Sequence, residues 1–382
     1  MKNDRKPVPL RVLGIMSGTS MDGVDCALCR VDADGVKLLQ LWSTGFPKPL
    51  QRRLQLAARG EANSWELAQL HHDLGRFYAT AAQRDIAARH AQLIGLHGQT
   101  IFHHPHPARP ATLQLGEPAY LAEAFGVTVA SNFRVADLAA GGQGAPLATL
   151  FHQAVFARRG EHVCVNNLGG ISNVTSLDWR RGSQPHVLAF DTGPANVLLD
   201  LAMRHFTDGR KSCDRDGELA ALGLVHHDLL ESWLKHPYFR KAPPKSTGRE
   251  LFDEKFLMPV LAKMETLGFD PADLLATLTL LTSRSITLNY ELHLPAPPDR
   301  VVLCGGGAEN PTLCAAIRRE FLSLNARAVV SRSDDLGWPA QFIEAAAFAL
   351  LAWRRWHGLP GNLPATTGAR RPVLCGQITA TG

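Results

Sequence analysis

Near the start of the chain apolar and polar residues alternate with a period of two, the pattern of a half-buried strand. Val24, Cys26, Leu28 and Arg30 fall on one face against Asp25, Ala27, Cys29 and Val31 on the other, after a strand-like run over residues 11–17. Residues 61–91 take up a helical period, and the short apolar run 93–96 reads as a buried strand. A helix over 115–125, a strand over 127–130 and a helix opened by Pro146 and reaching about residue 156 follow. In the second half, strands are expected at 162–167, 174–178 and 300–304. Helices are expected at 196–206, 271–292, after Pro311, and over the apolar stretch 342–356. Such alternation of strands and helices predicts an α/β architecture.

The turns between these elements carry the candidate chemistry. Between the first two strands lie Ser17, Gly18, Thr19, Ser20, Met21, Asp22 and Gly23. The Asp-Gly step signals a hairpin, but the stretch is richer in hydroxyls and glycine than a plain turn requires. Successive amides unshielded by side chains make an anion nest, and Asp22 could hold a metal through water. A long solvated turn has the same letters. Leu168-Gly169-Gly170-Ile171-Ser172-Asn173 repeats the design of strand, glycine-plus-hydroxyl turn and strand at the head of the second half, an architectural repeat that is weak in letters. Gly305, Gly306 and Gly307 follow a buried strand and would let a flat ligand such as a base or ribose approach closely. They match neither the dinucleotide fingerprint nor a Walker loop.

An apolar run from His186 ends at Asp191, and Thr192-Gly193-Pro194 reads as a turn into the amphipathic helix at Asn196. A carboxylate at the end of a buried strand sits where open α/β sheets bind ligands, beside the amides of a helix start. Asp or Thr there is equally a helix cap, worth ~1 kcal/mol. His97-Gly98-Gln99-Thr100, at the end of another short strand, offers donors and acceptors suited to sugar hydroxyls. The histidines at 103, 104 and 106 are interleaved with prolines, which prevents the helical spacing of a zinc site and suggests a surface loop. Arg134 and Asp137, read as ligand contacts, stand beside the glycine-rich tract 141–146, which reads as the crossing between two lobes. Lys245-Ser246-Thr247-Gly248-Arg249-Glu250 reads first as helix capping and surface charge, and Glu344 as a carboxylate favouring a helix dipole.

At 382 residues the chain is too long for one ordinary core, so two domains are expected, at 1–140 and 141–382, the last helix and tail returning towards the first. A 45% hydrophobic, 20% charged composition with mean hydropathy −0.07 is that of a globular protein. The net charge of +5 is scattered, which argues against a nucleic-acid stripe. Seven cysteines without framework spacing suit a reducing compartment, and Cys26 and Cys29, on opposite faces of a strand, read as structural. With neither a signal peptide nor a membrane-spanning stretch apparent, a cytoplasmic location is expected.

Taken together, these segments resemble the superfamily of actin, sugar kinases and Hsp70, and more closely the anhydro-N-acetylmuramic acid kinase family. The resemblance rests on residues 14–25, 97–100, 141–147, 167–173, 191–194, 245–250, 304–307 and 344–345, in the family's order along the whole chain. It implies two ribonuclease H-like domains flanking a central ATP and sugar cleft. It further implies that Gly18, Thr19, Ser20, Met21, Asp22, Gly23, Val24 and Asp25 form the first phosphate hairpin, Asp22 being the Mg2+-side carboxylate. Gly169 and Gly170 would belong to the second hairpin, Gly305 to Gly307 would lie against the nucleoside, and Asp191 would be the catalytic base. His97, Gln99, Arg134 and Glu344 would line the sugar pocket. The implied reaction is ATP-dependent opening of a 1,6-anhydro sugar with phosphorylation of O6, in amino-sugar recycling from the cell wall. The implied partners are small molecules, with no nucleic acid or membrane; a homodimer is left open. Another sugar or acyl kinase of the superfamily, and an ATP-switched binding protein, are the alternatives.

Overall fold

β1 (Leu10–Ser17) is the strand on which the first half of the chain is built. It pairs antiparallel with β2 (Gly23–Asp32), which pairs antiparallel with β3 (Gly35–Gly45). On its other side it pairs parallel with β4 (Leu93–His104), which is flanked by β6 (Val129–Ser131), while β5 (Ala111–Leu115) folds back on β4. β12 (Gln377–Thr379) closes the far edge, giving the order β12-β6-β4-β1-β2-β3. This computed structural model describes residues 7–381 except 19, 107, 249, 250 and 268.

One face of this sheet is covered by α1 (Lys48–Ala58), α2 (Ser64–Ala82) and α3 (Ala119–Phe125), whose Leu54, Leu70, Leu74, Tyr78 and Leu121 join Leu13, Ile15 and Leu96 in one core. Each such side chain contributes roughly 1.5–3 kcal/mol on burial. Two short helices, α4 (Val135–Ala139) and α5 (Thr149–Phe156), follow β6. The other face seats α12 (Ile343–Trp356), and α13 (Pro364–Thr367) lies beyond it. α12 is apolar on nearly every side, as a helix enclosed in protein must be. It approaches the sheet closely because Gly14 and Gly95 face each other across β1 and β4. A Cβ at Gly14 would overlap the Ala345 carbonyl, and one at Gly95 the Phe348 carbonyl.

The second half repeats the plan on its own sheet. β7 (His162–Leu168) pairs antiparallel with β8 (Ile171–Asp178), and β8 antiparallel with β9 (His186–Pro194). β7 also pairs parallel with β10 (Arg300–Cys304), and β10 parallel with β11 (Val329–Arg332), so the order is β11-β10-β7-β8-β9. Leaving aside β5, which folds back on β4, and β12 at the far edge, both sheets run third, second, first, fourth and then the next strand of that half. The helices here are α6 (Asn196–Phe206), α7 (His227–Leu234), α8 (Pro237–Arg240), α9 (Glu254–Leu267), α10 (Pro271–His293) and α11 (Pro311–Leu324). α10 is capped by Asp270, whose carboxylate accepts from the Ala272 amide, and opens on Pro271 at its first turn.

The compact units are residues 1–155 with 342–382, and 156–341. The division thus falls after the glycine-rich tract rather than at 140/141, because that tract is tied to the first unit: Gly142 N–H to Asp137 O, Gln143 N–H to Thr367 O, Gly144 N–H to the Asp137 carboxylate. Other boundaries also differ from the periodic reading. β3 and α1 had no clear period; the helix expected over 61–91 is α2 followed by a 3₁₀ turn at Ile86–His90. β4 runs through His97 to His104, so the histidine stretch begins in a strand. β9 continues past Asp191 to Pro194, where a turn was expected, because Ser172 and Ile171 still pair with Gly193 and Pro194.

Candidate active site

Asp191 lies near the end of β9 and is held at three points. Its N–H donates to Lys245 O at 3.2 Å, its carbonyl accepts from the Tyr238 hydroxyl at 2.9 Å, and its Oδ2 accepts from the Thr247 N–H at 2.9 Å. The helix-cap alternative is excluded: Ala195 occupies the N-cap of α6 with no side-chain cap bond. Thr192 turns inward, donating to Ser172 Oγ at 2.7 Å. The half-buried Asp191 is therefore not there to start a helix.

Register places the glycine turns beside it. Cys304, Asn167, Asn173 and Asp191 are consecutive partners across β10, β7, β8 and β9. Two strand spacings, roughly 10 Å, separate Asp191 from the strand that enters the Gly169-Gly170 turn. That turn is bound to α6: Asn196 Nδ2 donates to Leu168 O at 3.0 Å and Gly169 O at 2.8 Å, and the Asn196 and Val197 amides donate to Gly169 and Gly170 carbonyls. The first amides of α6 are thus spent on the turn and do not form the anion site expected at the helix start. Gly305, at φ +78°, takes a backbone conformation few residues other than glycine adopt, and a Cβ there would overlap Asn167 Oδ1. A Cβ at Gly307 would come 2.8 Å from Leu168 Cβ, whereas Gly306 is exposed with nothing within 4 Å. Both glycine segments and Asp191 accordingly share one end of one sheet.

In the first unit, the turn between β1 and β2 divides by side. Ser20 and Asp22 are exposed, Ser20 Oγ donating to Asp22 Oδ1 at 2.8 Å, with Gly18 partly exposed. Met21 and Val24 turn into the core, so of these two only the main chain can meet a ligand. Met21 takes φ +55°, the Met21 N–H closes on Gly18 O at 3.2 Å, and Gln51 Nε2 donates to Met21 O at 2.9 Å. Gly23 lies against Thr44 O, and Asp25 is half-buried beside Cys26. Thr19 lies outside the described residues, as do Arg249 and Glu250.

Gln99 and His97 do not present themselves to solvent as the sugar-edge reading expected. β4 is a central strand covered on both faces over its first half, so the side chains of His97 and Gln99 are enclosed. Gln99 is fully buried and braces the turn by donating to Gly18 O at 2.9 Å. His97 is buried against Phe348, and Arg134 donates to its Nε2 from Nε at 3.2 Å and Nη2 at 2.9 Å. Burial and the Arg134 charge drive His97 well below the usual imidazole range, so the ring is neutral and can accept. Arg134 Nη1 donates to Gly144 O at 2.8 Å, tying it to the glycine tract. Glu344 keeps access to solvent yet is crowded by protein; that desolvation raises its pKa, and the Arg134 charge opposes the rise. Arg134 and Glu344 lie on one unit and their opposite charges each favour the other's ionised form, with His97 accepting from the guanidinium.

Other candidates are structural. Asp137, read as a ligand contact, is fully buried and accepts from Gly144 N–H, Asn362 Nδ2 and Thr367 Oγ1. Burial pushes the Cys29 thiol up to about 12 and Cys26 higher still, so neither is a thiolate. Among the described residues no group of three or more His, Cys, Asp or Glu is placed to hold a metal ion, and no helix is long and apolar enough to cross a membrane. Sequence reasoning passed over Tyr238, Lys245, Thr247 and Asn196 as functional parts. Thr247 acts through a backbone amide, which leaves no signature in side-chain chemistry.

Two α/β units with the same strand order, each opening on a glycine turn between its first two strands, define the fold of sugar kinases and actin-like ATPases. The model of the family Anhydro-N-acetylmuramic acid kinase matches residues 10–381, and the chain belongs to that family of kinases. The anhydro-N-acetylmuramic acid kinase of Acaryochloris marina (strain MBIC 11017) is 42% identical over 380 residues, covering 97% of this chain and 99% of the relative. That of Picosynechococcus sp. (strain ATCC 27264 / PCC 7002 / PR-6) is 43% identical over 383 residues, covering 97% and 99%. Among solved structures, a ROK family glucokinase from Streptomyces griseus in complex with glucose and AMPPNP is 14% identical, with a TM-score of 0.38 over 90% of this chain and 98% of that one.

Proposed function

We propose that the chain opens the 1,6-anhydro ring of 1,6-anhydro-N-acetylmuramic acid with water and transfers the γ-phosphoryl group of ATP to O6. The products are N-acetylmuramic acid 6-phosphate and ADP. The observation that carries this reading is Asp191, a carboxylate aimed by the Thr247 amide and standing in register with two glycine turns. O6 of the substrate is tied up as an internal acetal, so a hydroxyl must first be released. Asp191 takes a proton from water, and the water oxygen bonds to the anomeric carbon as the bond from that carbon to O6 breaks. The electron pair left on O6 attacks the γ-phosphorus, and the bond to the ADP oxygen breaks. A positioned base supplies a factor of ~10²–10⁴, about 3–5.5 kcal/mol. Positioning and charge neutralisation by amides supply the rest.

In this reading Gly169, Gly170, Gly305, Gly306 and Gly307 hold the nucleotide on the second unit. The 18–25 turn supplies further phosphate contacts, and Arg134 and Glu344 recognise the sugar. Mg2+ is usually held by one or two carboxylates together with phosphates and water. A single exposed carboxylate at Asp22, on a phosphate turn, fits that donor set without a larger cluster. Bound there, Mg2+ would neutralise charge on the transferring phosphoryl group. Seven cysteines that form no disulfide support a cytoplasmic site of action in cell-wall amino-sugar recycling.

The test is to run the reaction with ATP, Mg2+ and the anhydro sugar in ¹⁸O-labelled water and weigh the product promptly. Preformed product placed in the same water controls for exchange. One label at the anomeric oxygen and none in the phosphoryl group is expected. An unlabelled phosphorylated product would mean an ordinary kinase acting on a free hydroxyl.

A further inference from the structure

Lys245 is only 5% exposed. Burying an ammonium is costly where a methionine of similar length would fill the space, so the charge needs a reason. Its Nζ donates to Asn289 Oδ1, to Tyr238 O at 3.2 Å and to Phe239 O at 3.4 Å, and lies 4.9 Å from the centre of the Tyr238 ring. Three N–H donors meet three acceptors.

The groups around that ammonium lead back to Asp191. Asn289 also donates through Nδ2 to Thr192 O at 3.0 Å, one residue beyond Asp191. The Tyr238 hydroxyl donates to Asp191 O, and the Phe190 ring, 5.8 Å from Nζ, belongs to the residue before it. Lys245 O accepts the Asp191 N–H, and two residues on the Thr247 amide holds Asp191 Oδ2. Moving Lys245 therefore moves the donor that aims the carboxylate.

We propose that Lys245 is a positioning residue for Asp191, its buried ammonium pinning residues 245–247 so that the Thr247 amide fixes the direction of the carboxylate. The inference rests on the reading of Asp191 as the base. The charged and titratable groups facing Lys245 are Asp191 from β9, Lys241 from the preceding loop, His293 from α10 and the Tyr238 phenol. Burial lowers Lys245 to about 8, Asp191 opposing and Lys241 adding to the fall. Above that pH the neutral amine has two N–H donors for three acceptors, and the pin loosens.

The experiment compares Lys245→Met with the unsubstituted protein, using ATP, Mg2+ and 1,6-anhydro-N-acetylmuramic acid. kcat is expected to fall roughly 10- to 100-fold, with KM for both substrates nearly unchanged. The acid limb of the kcat profile is expected to move to higher pH, because the Asp191 carboxylate loses the hold of the Thr247 amide together with a nearby cation. A merely structural lysine would lower stability without moving that limb, so an unmoved limb or an unchanged kcat overturns the proposal. Should the variant not fold, the unsubstituted profile decides: kcat must decline above about pH 8 with KM retained, and a flat profile up to about pH 9.5 overturns it. Asp191→Asn separates the two failures. If it abolishes turnover while Lys245→Met changes nothing, only the positioning role is lost; if it is fully active, the base assignment itself is wrong.

Discussion

Replacing Asp191 by Asn removes the proposed base while sparing the main-chain bonds that hold the residue in place. The main-chain bonds to Lys245 O and the Tyr238 hydroxyl do not involve the side chain. An asparagine of the same size still offers an oxygen to the Thr247 amide, which is 2.9 Å from Oδ2. What is lost is the charge on that acceptor. Hydrogen bonds to charged groups contribute ~1.5–3 kcal/mol against ~0.5–1.5 for neutral ones, so the expected loss of stability is about 1 kcal/mol. In a unit spanning residues 156–341 that corresponds to a fall in Tm of about 2–4 °C. The kinetic loss is of another order: an amide cannot take the proton from water, and a missing general base costs ~10²–10⁴ in kcat.

The two magnitudes are separable in one preparation. ADP release coupled to sugar turnover gives kcat, calorimetric melting gives stability, and nucleotide titration shows whether the glycine segments still bind. The expected variant melts nearly normally, binds ATP and turns over at least a hundredfold more slowly. Turnover within about threefold of normal would refute the base assignment. Loss of several kcal/mol of stability alongside the rate would instead make Asp191 a structural bracket for the 245–247 segment, and the kinetic argument would fall with it.

Other perturbations probe separate parts. Gly306→Ala introduces a methyl that meets nothing within 4 Å, so its melting should be unchanged while ATP affinity falls about tenfold if the loop faces the nucleoside. Normal titration of this variant would remove that role. Gly307→Ala places a Cβ 2.8 Å from Leu168 Cβ and 3.0 Å from Leu168 O, and should cost about 1–3 kcal/mol in denaturant melts as well as affinity. Burial lowers His152 from 6.5 to about 4, so the unfolded chain binds the proton first. Its stabilising contribution is whole above about pH 6.5 and is lost progressively as the pH falls towards 4, by up to about 3 kcal/mol. Chemical denaturation of His152→Phe should therefore show a shallower acid slope than the unsubstituted chain; an identical slope would contradict the assignment.

How far the fold could be read from the chain depended on whether local pattern and tertiary context agreed. β1, β2, β7, β8 and β10 were legible because their alternation or apolar runs match their burial. The Gly305–Gly307 segment was legible because a positive φ at Gly305 and a close approach at Gly307 exclude a Cβ. β3 was not, since an outer strand with only Thr44 buried has little alternation to display. His97 and Gln99 misled for a related reason. Polar residues on a strand suggest an exposed edge, but β4 is central, and there Gln99 donates to Gly18 O while His97 accepts from Arg134. The Thr247–Asp191 contact spans 56 residues and one donor is a main-chain amide, so no spacing rule would have found it.

The shared strand order also shows where the two units part. Counting two residues back from the first glycine of each turn gives Met16 in the first unit and Asn167 in the second. Following the pairing outward, Met16 faces Asp25 and Asp25 faces Ser43, while Asn167 faces Asn173 and Asn173 faces Asp191. The third strand thus carries a hydroxyl in one copy and a carboxylate in the other, at equivalent distance from a glycine turn. Among the described residues the second copy also brings a loop, residues 245–247, across that strand to orient the side chain. A serine at that row cannot accept a proton from water near neutral pH, so the scaffold alone does not confer the reaction. On the proposed reading the distinction lies in one carboxylate and the amide that aims it, with Asp191 as the base in the second unit and the turn at Gly18, with Asp22, set to meet phosphate and Mg2+ in the first.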